Sequence, residues 1–220
     1  SLAVDFRPPS RGLSNYTECV KGEVVRSRVC RIIEDDEYGL YYRTMVDTIR
    51  AALEPSSLSS LLNKPDDADI PDVAAKQIEV ELTGMVWFQG FNDILKSDKL
   101  EEYEVNLKQF MLDIRQDLET PNLPIVIGEL GMEGLYPLKG RKGGKHLQMR
   151  QIQRRIAMEL SPTTRYALTS PFIVEDGQKF EKTYHYNGRA DTMINIGRSF
   201  AQTMLQLIED LEAIGKEAEN

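Results

Sequence analysis

Apolar positions recur every three or four residues over 38–53, where Tyr42, Met45, Val46, Ile49 and Leu53 build one stripe, and the spacing predicts a helix. Pro55 stops it. The same period returns over 101–118 through Tyr103, Leu107, Phe110, Met111, Ile114 and Leu118, with Pro121 beyond the end. It returns over 146–160 through Leu147, Met149, Ile152, Ile156 and Met158, and over 190–214 in a long closing helix. Between these helices stand short runs rich in β-formers, at 78–88, 124–131 and 166–172. The first ends in the continuous apolar run Met85-Val86-Trp87-Phe88, the pattern of a strand buried on both faces.

Strands that alternate with helices predict an α/β fold: a parallel sheet with helices on both faces, in one domain over residues 1–220. Residues 1–37 carry Pro8-Pro9, both cysteines and the acidic run Glu34-Asp35-Asp36-Glu37 without a sustained apolar period, and they read as loop. Residues 56–72 are rich in Ser, Asp and Pro and read as a surface excursion. Sheets of this kind bind ligands beyond the carboxyl ends of their strands. The residues directly after each strand are therefore the ones to inspect.

Composition narrows the partners. With 41% hydrophobic and 28% charged residues, the chain falls in the globular range and is long enough to bury a full core. A net charge of −8 disfavours generic capture of nucleic acid or of an anionic membrane. No run reaches the ~18 apolar residues of a bilayer span, and the start Ser1-Leu2-Ala3-Val4-Asp5 has no basic region ahead of an apolar one. Cys19 and Cys30 are the only cysteines, at a separation that suits a small disulfide-closed loop or two reduced thiols. The sequon Asn15-Tyr16-Thr17 in the same segment favours the bridge, and with it a secreted or extracytoplasmic address.

After the first strand come Gln89-Gly90-Phe91-Asn92-Asp93. Gly90 permits a sharp turn, and Asn92 would aim its amide into the crevice as an oxyanion donor that brings no charge of its own. In the competing reading, Asn92 and Asp93 end the strand and cap the next segment. After the second strand, Glu129 would orient Asn92 or substrate, or be a buried glutamate satisfied by backbone N–H groups or by Arg150. After the third comes Tyr184-His185-Tyr186-Asn187-Gly188, in which His185 is a candidate general base just before the last helix. His146, the other histidine, begins a helix after a basic loop and is expected to be solvated. Two scattered histidines without cysteine or carboxylate spacing make no recognisable metal site, and Gly143-Gly144 lacks the rest of a phosphate cradle, so no metal or cofactor is expected.

Four segments, in order, carry a family likeness: Leu2-Ala3-Val4-Asp5-Phe6-Arg7-Pro8-Pro9-Ser10, Trp87-Phe88-Gln89-Gly90-Phe91-Asn92-Asp93, Ile127-Gly128-Glu129-Leu130-Gly131 and Tyr184-His185-Tyr186-Asn187-Gly188. Together they resemble the sialate O-acetylesterase-like branch of the SGNH hydrolases, near carbohydrate esterase family six. The resemblance spans nearly the whole chain and implies a flavodoxin-like three-layer sandwich with a mostly parallel sheet. It also implies an esterase that removes acetyl groups from carbohydrate. Gly90 and Asn92 match the third block, whose glycine and asparagine donate to the oxyanion, and His185 matches the fifth-block histidine, the general base for a serine. Gln89, Phe91, Glu129, Tyr184 and Tyr186 would then face the sugar, while Trp87 reads as core packing.

The departures matter as much. The family's serine lies in a Gly-x-Ser segment after its first strand, followed by a glycine-bearing second block. Neither is found here, and Ser1-Leu2-Ala3 resembles the stretch after them. The chain is thus expected to start part-way into such a domain, without its first two strands, leaving a sheet edge open to a partner chain or to self-association. Ser10 and Ser14 stand in a Pro/Arg/Gly loop rather than a strand-to-helix turn, which argues against either as nucleophile. Lys182 occupies the position three before His185 where the family usually has Asp, and lysine accepts no proton from imidazole. Glu181, Asp176 and Glu175 are substitutes among which no spacing rule chooses. Two readings follow: an esterase whose serine is not in this chain, or a non-catalytic carbohydrate-binding or assembly subunit.

Overall fold

The computed structural model describes residues 1–2, 6–7, 17–21, 28–32, 39–54, 80–132, 134–135, 141–173 and 185–218, with backbone alone at 17–21, 28–32, 141–143, 185 and 187. Two antiparallel strands, β1 (Thr17–Lys21) and β2 (Arg28–Ile32), form a hairpin. Helix α1 (Leu40–Leu53) follows, then β3 (Met85–Trp87), the short helix α2 (Phe91–Ile94) and α3 (Ser97–Asp117). The chain continues through β4 (Ile125–Gly128), α4 (Arg141–Glu159), β5 (Thr164–Ala167) and α5 (Ala190–Ala218), with 3-10 turns at Ser170–Phe172 and His185–Gly188.

Strands β3, β4 and β5 lie side by side and parallel, with Val86 opposite Val126 and Ile127 opposite both Trp87 and Tyr166. Alternation along β4 sends its side chains to two different cores. Ile125 and Ile127 join Leu107, Phe110, Met111 and Ile114 of α3 and Met149, Ile152 and Ile156 of α4. Val126 joins Ala167 of β5 and Leu207 of α5, with Phe200, Met204 and Leu211 packed around them. Helices therefore cover both faces of the sheet, as the sequence pattern predicts, and the chain has the expected three-layer α/β architecture.

Helix α3 buries every member of its predicted stripe, and α1 buries Tyr42 and Val46 against the same core. At the amino ends of the strands, Arg115 of α3 donates to the carbonyls of Leu123 and Thr163 and, at 2.8 Å, to Thr164 Oγ1. Its stem is buried and its fork fills three acceptors that the strands leave open.

Several expectations need correction. The stretch 1–37 is not all loop, because it holds the β1–β2 hairpin. Charges interrupt both five-residue strands, so no apolar period marked them. Strand β3 is only three residues long, and Val86 is 42% exposed because α5 packs over β4 and β5 instead. The third strand ends at Ala167, and Ser170–Phe172, with Pro171 inside it, is a 3-10 turn. Helix α4 starts before His146, and it turns Leu147 and Met158 outward while His146, Arg150 and Gln153 face inward. His146 is therefore buried rather than solvated, with its ring 6.4 Å from that of Phe91.

Candidate active site

The carboxyl ends of the three parallel strands are joined by one chain of hydrogen bonds. After β3, the Gln89 carbonyl accepts from Tyr103 Oη and from Gln153 Nε2, each at 3.0 Å. Gln153 also accepts the Leu130 N–H through Oε1 at 2.9 Å, so one fully buried side chain of α4 spans the ends of β3 and β4. Arg150, one turn earlier, donates through Nε to the Leu130 carbonyl at 2.9 Å. Its Nε lies 3.8 Å from Glu129.

Glu129 completes the link to β5. Its Oε2 accepts the N–H groups of Thr169 and Ser170 at 2.9 and 2.7 Å, and Thr169 Oγ1 returns a bond to the Glu129 carbonyl at 2.8 Å. These are the contacts of a structural glutamate, and its side chain is only 6% exposed. Burial, with the Glu129 charge beside it, pushes the Tyr166 phenol far above its ordinary range. Gly131 is required by space: a Cβ there would stand 2.2 Å from Thr169 Oγ1 and 2.4 Å from the Ser170 nitrogen.

The turn after β3 is built differently. Gly90 has φ 152°, a conformation that favours glycine, and a Cβ would meet Met149 Sδ at 3.3 Å. The Asp93 and Ile94 N–H groups fold back onto the Gly90 carbonyl at 3.1 and 3.3 Å. Asn92 is exposed on this turn, whereas Asp93 beside it is fully buried. Neither residue caps the following helix through its side chain. Gln89 gives its Nε2 to Asp93 Oδ2 at 2.6 Å, and Phe91 is half-buried against the core.

Trp87 is core, with its ring 4.3 Å from Phe110 and 5.3 Å from Phe6. Tyr186 is buried with its ring 5.7 Å from Phe88, and burial raises its phenol pKa. This sets Tyr186, within the His185–Gly188 turn, beside the residue that follows β3. The His185 side chain, Tyr184, Lys182 and the alternative acids Glu181, Asp176 and Glu175 lie outside what the structure describes. Sequence reasoning missed Asp93 as a buried anchor; its signal was the four-residue spacing from Gln89, which turns both side chains toward one side of the turn. Among the described residues no group of three or more His, Cys, Asp or Glu converges as metal ligands, and no helix is long and apolar enough to cross a membrane.

The family model described as carbohydrate esterase, sialic acid-specific acetylesterase, matches residues 68–209, a span that holds all three parallel strands and both candidate motifs. The chain belongs to this family. A probable carbohydrate esterase of Arabidopsis thaliana is 29% identical over 72 residues, which is 33% of this chain and 28% of that relative. The present chain thus spans well under half of that relative's length. The X-ray structure of an Arabidopsis thaliana protein aligns with 76% of this chain and 52% of its own, at 17% identity and a TM-score of 0.48. In this esterase family chain the carboxyl-end network and the exposed Asn92 sit on the matched span.

Proposed function

We propose that the protein is a carboxylic-ester hydrolase that removes acetyl groups from carbohydrate, with Asn92 and the Gly90 N–H as oxyanion donors and His185 as general base. The nucleophile in this reading is a serine outside these 220 residues. Its hydroxyl attacks the acetyl carbonyl while His185 takes the proton, and the new alkoxide is met by the Asn92 amide. Collapse breaks the ester bond, and His185 returns the proton to the departing sugar hydroxyl. Water then attacks the acyl-serine with His185 again as base, releasing acetate and restoring the serine. Gln89, Phe91 and Tyr184 shape the approach of the sugar.

The observation that carries this reading is the exposed Asn92 on a glycine turn directly beyond β3, within the span matched by the esterase family. A neutral amide there supplies a donor without charge repulsion. The full-length protein should hydrolyse p-nitrophenyl acetate and an O-acetylated sugar. Asn92→Ala should lower kcat about 100-fold, and His185→Ala should lower it by about 100-fold or more. A folded full-length protein with no turnover would favour the alternative, a non-catalytic carbohydrate-binding or assembly subunit. Lys182, standing where the family usually has an acid, is what keeps that alternative open.

A further inference from the structure

Asp93 is an acidic side chain with no exposure, next in sequence to an exposed Asn92. Both of its oxygens are engaged, one by a distant segment and one by a neighbouring residue. Oδ1 accepts the Leu2 N–H at 3.1 Å, across 91 residues, and Oδ2 accepts Gln89 Nε2 at 2.6 Å. Its own N–H closes onto the Gly90 carbonyl. Lys99 is buried nearby, with Nζ 3.4 Å from Ser1 Oγ.

Gly90, Phe91 and Asn92, which lie between Gln89 and Asp93 in sequence, are thereby enclosed in a ring that those two side chains close. A four-residue helix makes too few backbone bonds of its own to be rigid. Its shape must come from such external anchors.

We propose that Asp93 is the positioning residue of the oxyanion turn, fixing where Asn92 presents its amide by holding Gln89 on one side and the Leu2 backbone on the other. The proposal rests on the esterase reading for Asn92 and adds the device that sets its place. An oxyanion donor acts mainly in the transition state, so displacing it lowers kcat and leaves KM largely unchanged.

The test uses the full-length protein with Asp93→Leu, which keeps bulk but removes both acceptors, and Asp93→Asn, which keeps one and replaces the other with a donor. For Asp93→Leu the expected result is a kcat for p-nitrophenyl acetate lower by tenfold or more, with KM within about twofold. Amide hydrogen exchange at 90–94 should quicken at least about tenfold while that at 125–128 stays as in wild type. Asp93→Asn should fall between wild type and Asp93→Leu in both measurements. Unchanged kcat, or exchange that quickens equally across β4, overturns the proposal. If Asp93→Leu fails to fold, unchanged exchange at 90–94 in Asp93→Asn overturns it. A wild-type protein without esterase activity would sink the functional reading alone, and the exchange comparison would still decide whether Asp93 holds the turn.

Discussion

The carboxylate of Glu129 accepts the Ser170 N–H at 2.7 Å, and the same oxygen accepts that of Thr169, so one side chain at the end of β4 holds the turn after β5. Those two N–H groups have no ladder partner once β5 ends at Ala167. Removing the acceptor leaves two buried donors unpaired and the Arg150 charge without its counterpart. Glu129→Ala should therefore lower folding stability by about 3–5 kcal/mol, the range for a buried charge pair cut on one side. Urea unfolding measures this; a loss under about 1 kcal/mol would mean that water replaces the carboxylate.

Glycine substitutions separate space from propensity. Gly131→Ala should be severely destabilising, because its Cβ would overlap the backbone of Ser170, which cannot move without dragging the Glu129 contacts with it. Gly197, inside α5, has no neighbour within 4 Å of a built Cβ. Gly197→Ala should raise stability by about 0.5–1 kcal/mol through helix propensity and a less flexible unfolded chain. Thermal melts of the two variants should move in opposite directions.

Burial pushes the Asp93 carboxyl above the ordinary aspartate value of 3.8, against the opposing pull of the Gln89 hydrogen bond. A carboxyl with a raised folded-state pKa binds protons on folding. Its stabilising share is complete below the unfolded value and is lost as pH rises through the folded one. The melting temperature of Asp93→Asn, taken relative to wild type, should accordingly climb as pH rises above about 4. A relative melting temperature that falls as pH rises would show that hydrogen bonds to the carboxylate outweigh its desolvation.

The hairpin register sets Cys19 directly opposite Cys30. Residues facing each other in antiparallel strands have Cα atoms about 4.5–5.5 Å apart, inside the range a disulfide bridges. We expect intact-mass and peptide mapping without reductant to find Cys19 linked to Cys30. Free thiols in protein from its native compartment would remove the reason for proposing a secreted or extracytoplasmic address.

How much of this was legible in the chain varies by element. The stripe Tyr103, Leu107, Phe110, Met111, Ile114 and Leu118 reads cleanly because all six side chains are packed at helical spacing, although Asn106, Asp113 and Arg115 are buried beside them and Val105 and Leu112 face outward. Helix α4 reads poorly because His146, Arg150 and Gln153 are buried, and a hydrophobic period cannot register side chains whose inward place rests on hydrogen bonding. For Glu129, both candidate partners of a structural role, backbone N–H groups and Arg150, are the groups found around it. For Asp93 only half of the anchor had a local signal, the spacing from Gln89, since the Leu2 amide that engages its other oxygen lies 91 residues away. The exposure of Val86 was hidden likewise, because nothing local says which strand a distant helix covers.

Polar clasps from α3 and α4 grip the short strands at both ends, Arg115 at one and Gln153 with Arg150 at the other. The groups that meet solvent at the rim, Asn92 and the 60% exposed Leu95, belong to neither clasp. The turn that carries Asn92 is nonetheless tied to the α4 clasp, because the Gln89 carbonyl accepts from Gln153 while the Gln89 side chain holds Asp93. Leu95 can vary without touching either clasp, whereas changes along the inner side of α4 disturb the ends of β3 and β4 together.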